Sequence, residues 1–444
     1  MRKLRIILSI AACKILIKLG KLMGKKGSYT PGVIAMKIYP DILRYLSDQV
    51  KGDIVFVCGT NGKTTTNNML CTLLESSGKK VVCNKVGANM LAGVTVAFIE
   101  KAGIFGKLNA DCASIECDEA SLRHAVKHVR ADKVVVTNLF RDQLDRYGEI
   151  ESTIGLLNEA LEKCPDTLLI LNGDDPMSST LGRGRKAKYF GINENCNEDV
   201  NETSEGRFCT VCGAPFEYNY YHYSQLGDWH CTGCDFARPH IDYAADNIDL
   251  DGKLAFDING SVRLDLNYRG FYNIYNVLAA YSAYDAMGMK TDDINKIFGA
   301  YKPQIGRMES FTVGGKQVIL NLAKNPAGFN QAIATVLADK RSKDVLVAIN
   351  DAPSDGMDIS WIWDVDFEKL ADAETLSVFA SGVRKHDTAL RLKYAGFEDV
   401  KTIDITADTL RNIAKGDGEV CYLLVNYTVL FGTQEILKTI SDKG

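Results

Sequence analysis

The chain has no large excess of either charge, no apolar run long enough to span a bilayer, no internal repeat and no low-complexity tract. Its 444 residues carry 52 basic against 56 acidic side chains, a net charge of −4. No global field therefore draws it to nucleic acid or to an anionic membrane, and any such partner has to be met through a local patch. The apolar stretch from Ile6 to Ile17 is broken by Lys14 and followed by Lys18 and Lys21. That is too short and too charged to cross a bilayer, and no cleavable signal pattern accompanies it. Thirteen cysteines spread over so long a chain do not make a secreted disulfide framework and fit a reducing, cytoplasmic setting.

What is present is ample apolar material, 46% of the residues, and single cores stop growing near ~250 to 300 residues. Several domains are expected. Read at helical spacing, Leu4, Ile7, Leu8, Ala11, Ile15, Leu19 and Leu22 share one face, with Arg5, Lys14, Lys18, Lys21 and Lys25 over the rest. This pattern predicts a helix packed by its apolar face on its own domain. The alternative is a basic amphipathic helix, within residues 1–26, resting on a membrane surface at the inner face of the cell.

From Asp53 onward, short β-rich runs (DIVFVCG, VVCNKVG, CASIE, KVVVTNL, TLLILNG) alternate with helical stretches, the pattern of a parallel sheet with crossover helices. Residues 201–240 break the alternation and read as an insertion. LAFDI and VRLDLN follow, joined by Asn259-Gly260, a hairpin signal, and a long helix starts near Asn273. After Gly306-Arg307-Met308-Glu309 the alternation resumes, enough for a second, smaller α/β domain. The boundaries expected are 1–50 for an N-terminal helical segment, 51–310 for a central domain carrying the insertion and 311–444 for a C-terminal α/β domain.

The strongest motif is Gly59-Thr60-Asn61-Gly62-Lys63-Thr64-Thr65, directly after a buried-strand pattern and directly before a helix. That context is what a phosphate loop requires. Glycines turn backbone N–H groups toward an anion, the helix N-terminus adds positive potential, Lys63 offers a cation and Thr64 a hydroxyl for Mg²⁺. A chance Gly-Lys-Thr on a surface turn would lack the strand and helix around it. The first glycine stands three residues before Gly62 rather than five, and this short loop resembles that of the Mur ligase superfamily.

Further segments resemble that family in order: Glu116 at the end of CASIE; Asn138, Asp142, Asp145, Arg146 and Tyr147 in TNLFRDQLDRYGE; LNGDDP at 171–176; Asn273 and Asn276 in GFYNIYNVLAA; and Arg307 in GRME. The resemblance implies a Mur ligase-like α/β fold with a P-loop central domain and a Rossmann-like C-terminal domain. It also implies ATP bound by residues 59–65, with Asn273 and Asn276 near adenine. Mg²⁺ would lie on Thr64 and Glu116, and Lys63 and Arg307 would serve phosphoryl transfer. One departure stands out: the family's Asp-x-Ala-His-like loop reads Asn321-Leu322-Ala323-Lys324-Asn325 here.

Cys209-x-x-Cys212 and Cys231-x-x-Cys234 have the spacing of a zinc ribbon, and four thiolates leave no open position, so a structural Zn²⁺ is expected. Arg207 and Arg238 are too sparse a basic set for tracking nucleic acid, despite the tyrosines between them. With the acidic, Trp-bearing segment at 350–368, this insertion makes the chain similar to the ligase subunits of Gram-positive lipid II isoglutaminyl synthases. The resemblance implies ATP-dependent amidation of the D-glutamate α-carboxylate of lipid II through an acyl phosphate. Ammonia would come from a glutaminase partner, GatD, with Asp355 acting across that interface. Consistently, no cysteine lies in a Gly-x-Cys-x-Gly nucleophile turn. The alternative is a Mur-type ligase that adds an amino acid to a peptidoglycan or folate-like substrate.

Overall fold

The apolar runs fold as strands because helices cover them on both sides. β1 (Ile54–Cys58), β3 (Cys112–Glu116) and β4 (Lys133–Val136) are buried along their whole length, as parallel strands between helical layers must be. The computed structural model describes residues 2–22, 29–84, 88–142, 149–196, 206–250, 254–268, 270–301, 306–371 and 374–442. Asp145, Arg146 and Tyr147 lie outside the described residues.

Two units divide the chain: Met1–Phe140, Ile150–Asn267 and Phe271–Tyr301 form the first, and Arg141–Glu149, Tyr268–Gly270 and Lys302–Gly444 the second. The first unit holds β1, β3 and β4 with β2 (Val81–Cys83), β5 (Leu168–Asn172), β6 (Ala187–Ile192), β9 (Tyr243–Asp249), β10 (Leu254–Ile258) and β11 (Val262–Leu266). Their order is β11-β10-β9-β6-β5-β4-β1-β3-β2, parallel from β2 to β9 and antiparallel thereafter. The chain leaves this sheet after β6 and rejoins it in β9, where Phe190 stands beside Tyr243. Between them lies a separate antiparallel hairpin, β7 (Phe216–Tyr223) and β8 (Leu226–Cys231). Asn259 and Gly260 both take positive φ, 50° and 61°, the turn geometry that joins twisted strands such as β10 and β11 without splaying them.

Helices α1 (Arg2–Leu22), α2 (Tyr29–Ile38), α3 (Ile42–Ser47), α4 (Lys63–Ser76), α5 (Leu91–Lys101) and α6 (Glu119–Ala125) belong to this unit. The sequence pattern named the wrong packing face of α1. Ile6, Ser9, Ile10 and Cys13 are buried, whereas Leu4, Leu8, Ile15, Leu19 and Leu22 are exposed. The helix is apolar on two opposite sides. The side carrying the small residue Ser9, whose hydroxyl donates to the Ala35 carbonyl at 2.8 Å, is the one that approaches α2. Among the described residues no helix is long and apolar enough to cross a membrane. Cys71 on α4 and Cys83 on β2 are bonded, Cα atoms 6.7 Å apart, a pairing that the reading of dispersed thiols in a reducing setting did not anticipate.

The second unit is a sheet in the order β12 (Glu309–Val313), β13 (Lys316–Leu322), β17 (Val420–Val425), β14 (Lys343–Ala348), β15 (Thr375–Ser381), β16 (Val400–Thr402). Only β12 and β13 run antiparallel. Helices Pro326–Ala338, Lys385–Tyr394, Ala407–Ala414 and Tyr427–Ile440 accompany it, making the second α/β unit that the repeated alternation implied.

Candidate functional site

Strand β1 delivers the phosphate loop. After Cys58 the backbone needs positive φ at Gly59 (119°) and Gly62 (84°), which glycine adopts without a Cβ penalty. Space requires it too. A Cβ at Gly59 would lie 2.3 Å from Thr137 Oγ1, and one at Gly62 would lie 2.1 Å from Asn276 Oδ1. The loop is clamped from the end of β4: Asn61 N donates to Asn138 Oδ1 at 2.9 Å, Asn138 Nδ2 returns to the Asn61 carbonyl at 3.1 Å, and Thr137 Oγ1 donates to the same carbonyl at 2.7 Å. Thr60 N donates to the Asn138 carbonyl at 2.8 Å, and Thr60 Oγ1 accepts from Phe140 N at 3.0 Å.

Lys63 opens α4 and its ammonium is held by Glu119 Oε1 at 3.0 Å and the Thr60 carbonyl at 3.3 Å, as well as by the Gly59 carbonyl. The same Glu119 oxygen accepts from Gly59 N at 2.8 Å. Sequence reasoning did not single out Glu119. Its signal was the third carboxylate of ECDEA, one residue after Asp118, which caps α6 by accepting from Ala120 N at 3.1 Å. Thr65 is buried and Thr64 half-buried on the first turn of α4.

Glu116 ends β3 opposite Val57, and its side chain is almost fully buried. Asn89 Nδ2 donates to Oε1 at 3.2 Å. Oε2 is buried with no hydrogen-bond partner, an arrangement that costs about 1 to 3 kcal/mol unless something else binds the oxygen. Burial pushes the Glu116 carboxyl above its usual range, opposed by Lys63, Thr64 and Asn89. An orphaned, buried oxygen beside Lys63 and Thr64 fits a hard cation.

Asn273 and Asn276 stand on the first turns of the helix Tyr272–Ala286, both buried. Asn276 Nδ2 donates to Asn273 Oδ1 at 3.1 Å, and Thr66 Oγ1 reaches Asn276 Oδ1 at 3.4 Å. The structure thus brings residues 59–66, 116, 119, 137–138, 273 and 276 together in one unit.

LNGDDP ties this site to the β7–β8 hairpin. Asp175 accepts from Leu139 N at 2.8 Å, and Gln225 Nε2 donates to the Leu139 carbonyl at 2.6 Å. Trp229 Nε1 donates to the Gly173 carbonyl at 3.1 Å, and Arg238 Nε pairs with Asp174 Oδ1 at 2.7 Å. Tyr275 donates to Asp174 Oδ2 at 2.8 Å. Burial would raise the Asp174 carboxyl, but His222 and Arg238 hold it below its ordinary value. Asp175 has no such cation, and burial pushes it up to about 6.

At the far end of the hairpin, the sulfurs of Cys209, Cys212, Cys231 and Cys234 all lie within 4.8 Å of one another. Val211 N points at Cys209 Sγ (3.4 Å) and Gly233 N at Cys231 Sγ (3.3 Å), the stabilisation that thiolates receive from backbone donors in such knuckles. This donor set suits a tetrahedral metal ion.

In the second unit, Arg307 is half-buried in the turn before β12. Glu309 Oε2 accepts from Gly306 N at 3.0 Å, and Gln434 Nε2 donates to both Glu309 oxygens at 2.8 and 2.9 Å. Asn321 Oδ1 accepts from Met308 N at 3.3 Å. Asp355 is buried, and its oxygens take Thr428 N at 2.9 Å and the Thr428 hydroxyl, anchoring the start of the helix Tyr427–Ile440. The acidic segment around it is paired in part, Asp351 with Arg384 at 2.7 Å and Glu368 with Arg391 at 2.8 Å.

The chain is similar to known proteins. Residues 57–231 match the Mur ligase middle domain and residues 322–430 the MurT ligase C-terminal family. The lipid II isoglutaminyl synthase (glutamine-hydrolyzing) subunit MurT of Staphylococcus aureus (strain COL) is 38% identical, covering 88% of this chain and 88% of its own length. The subunit of the same name from Streptococcus pneumoniae (strain ATCC BAA-255 / R6) is 33% identical over 93% and 92%. Among solved structures, a pseudomurein peptide ligase type C from Methanothermus fervidus aligns with TM-score 0.71 at 23% identity, over 90% of this chain and 81% of that one. MurF from Acinetobacter baumannii aligns with TM-score 0.66 at 17% identity, over 92% and 80%. These two support the fold.

Proposed function

Because the chain belongs to the family of MurT subunits of lipid II isoglutaminyl synthase, we propose that it is the ATP-dependent carbon–nitrogen ligase subunit that turns the D-glutamate α-carboxylate of the lipid II stem peptide into the amide of D-isoglutamine. The carboxylate attacks the γ-phosphorus of ATP and ADP leaves. Ammonia then attacks the acyl phosphate carbon, phosphate leaves, and the nitrogen loses a proton. The ammonia source is a glutamine-hydrolysing partner, GatD; the relatives' names describe them as subunits of a glutamine-hydrolysing enzyme.

The observation that carries this reading is the phosphate loop with buried, half-satisfied Glu116 beside Lys63 and Thr64. The loop of residues 59–65 cradles the phosphates through the N–H groups at the start of α4, since those of Thr60 and Asn61 are given to Asn138, and Lys63 and Gly59 N–H exchange Glu119 for phosphate oxygens. Asn273 and Asn276 hold the nucleoside side of the loop. Thr64 and Glu116 would hold Mg²⁺, which supplies charge that offsets the transferring phosphoryl group. Arg307, on the second unit, offers a further cation to that group. Asp355 is the carboxylate assigned to the partner's chemistry, and the C-terminal domain from 311 is the partner-binding part. Cys209, Cys212, Cys231 and Cys234 would hold a structural Zn²⁺, which cross-links the insertion at about 201–240.

Lys63→Ala and Glu116→Ala should each lower ATP-dependent amide formation by about 10²- to 10³-fold, the scale of removing one transition-state charge contact. Circular dichroism and partner co-purification should stay unchanged. Full activity in either variant would remove the assignment.

A further inference from the structure

α1 has a second apolar face that stands exposed among the described residues of its unit. Leu4, Leu8, Ile15, Leu19 and Leu22 are 59, 50, 57, 49 and 84% exposed. At 3.6 residues per turn these five fall in one stripe roughly 60° wide. Lys3, Lys14, Lys18 and Lys21 run along one border of the stripe and Arg5 along the other, and α1 contains no acidic residue.

Beside it stands a turn with the same character. Gly103 N donates to the Lys107 carbonyl at 2.8 Å and Gly106 N to the Gly103 carbonyl at 2.9 Å. The tip they close, Ile104 and Phe105, is 52% and 85% exposed between Lys101 and Lys107. The turn is fixed against α1: a Cβ at Gly106 would lie 2.9 Å from Ile6 Cγ2, and Lys14 Nζ donates to the Ala102 carbonyl at 2.5 Å. The acid at this place is Glu100, whose carboxylate lies 4.0 Å from Lys21.

Soluble monomers seldom leave such a stripe uncovered. A second copy is a poor occupant, since pairing α1 with itself brings lysine borders together with no acid to meet them. An anionic lipid surface matches both features: the leucines and Phe105 enter the acyl boundary and the lysines meet headgroup phosphates. We propose that α1 and the Ile104–Phe105 turn form a docking surface for an anionic bilayer, with the helix lying in the membrane plane. The surface stands on these residues alone and not on the amidation reading.

The test is flotation of the full chain with vesicles of phosphatidylcholine containing phosphatidylglycerol, without nucleotide or lipid II. The wild type should float, and less so with added salt or with phosphatidylcholine alone. Leu8→Glu combined with Ile15→Glu, and separately Phe105→Ser, should each lower partitioning by about tenfold or more, with thermal unfolding and turnover of detergent-solubilised lipid II retained. A wild type that stays unbound, or a double variant that floats equally well, overturns the proposal. So does sedimentation showing a wild-type dimer that the double variant dissociates, because the face would then belong to self-association.

Discussion

Glu119 holds the loop through the groups that a phosphate oxygen would use, Gly59 N–H and the Lys63 ammonium. On the proposed nucleotide site, ATP would have to displace it, so the free protein would carry its own competitor. Glu119→Gln removes that charge and should tighten ATP binding by about three- to tenfold, the effect of relieving an occupied state, at some loss of stability because Lys63 loses a buried counter-ion. Titration with a fluorescent ATP analogue reads the first effect, and unchanged or weaker affinity would show that Glu119 does not compete. Asp175 makes a pH prediction. Its folded-state pKa, about 6, lies above the ordinary value of 3.8. The folded state therefore binds the proton more tightly, and stability is highest below the lower value and falls as pH rises toward 6. The loss is on the order of 3 kcal/mol across that window. Melting curves of the wild type and Asp175→Asn between pH 4 and pH 6.5 should diverge, with the wild type losing ground as pH rises; parallel curves would contradict the assignment.

At the scale of elements, the β7–β8 hairpin is more than an appendage. Phe216, Trp229 and the sulfurs of Cys209 and Cys231 join the core that contains β1 and β4, and Gln225 grips the Leu139 carbonyl next to the loop clamp. Emptying the proposed metal site should therefore reach the phosphate loop. Cys231→Ser, or chelator treatment, should lower the melting temperature by roughly 5 °C or more and weaken ATP binding, since structural metal sites contribute folding energy directly. Metal analysis with calorimetry checks it, and full ATP affinity in a metal-free protein would confine the site to the hairpin. The sequence made this hairpin's cysteines legible because ligand spacing is a short-range signal. It made the β10–β11 turn legible because Asn259-Gly260 suits positive φ at both positions. It misjudged α1, because hydrophobic periodicity reports that a face is apolar and not which of two apolar faces meets the core.

For the whole molecule, the alternation of strands and helices and the order of the motifs around residues 59, 116, 138 and 276 gave the α/β architecture and most of the loop's surroundings. Glu119 and the Thr137–Asn138 clamp were hidden because each joins segments whose closeness exists only once the sheet order β4-β1-β3 is formed, and the Asp174–Arg238 pair because it joins the end of β5 to the insertion after β8. Asp355, singled out by resemblance, is buried with its carboxylate on Thr428. Purified chain incubated with ATP, Mg²⁺, lipid II and ammonium chloride should yield a product with the mass change of a carboxylate-to-amide conversion, with one ADP released per product. Mass gain with a free amino acid, and no mass change with ammonium, would rule out amidation and make the chain an amino-acid-adding ligase.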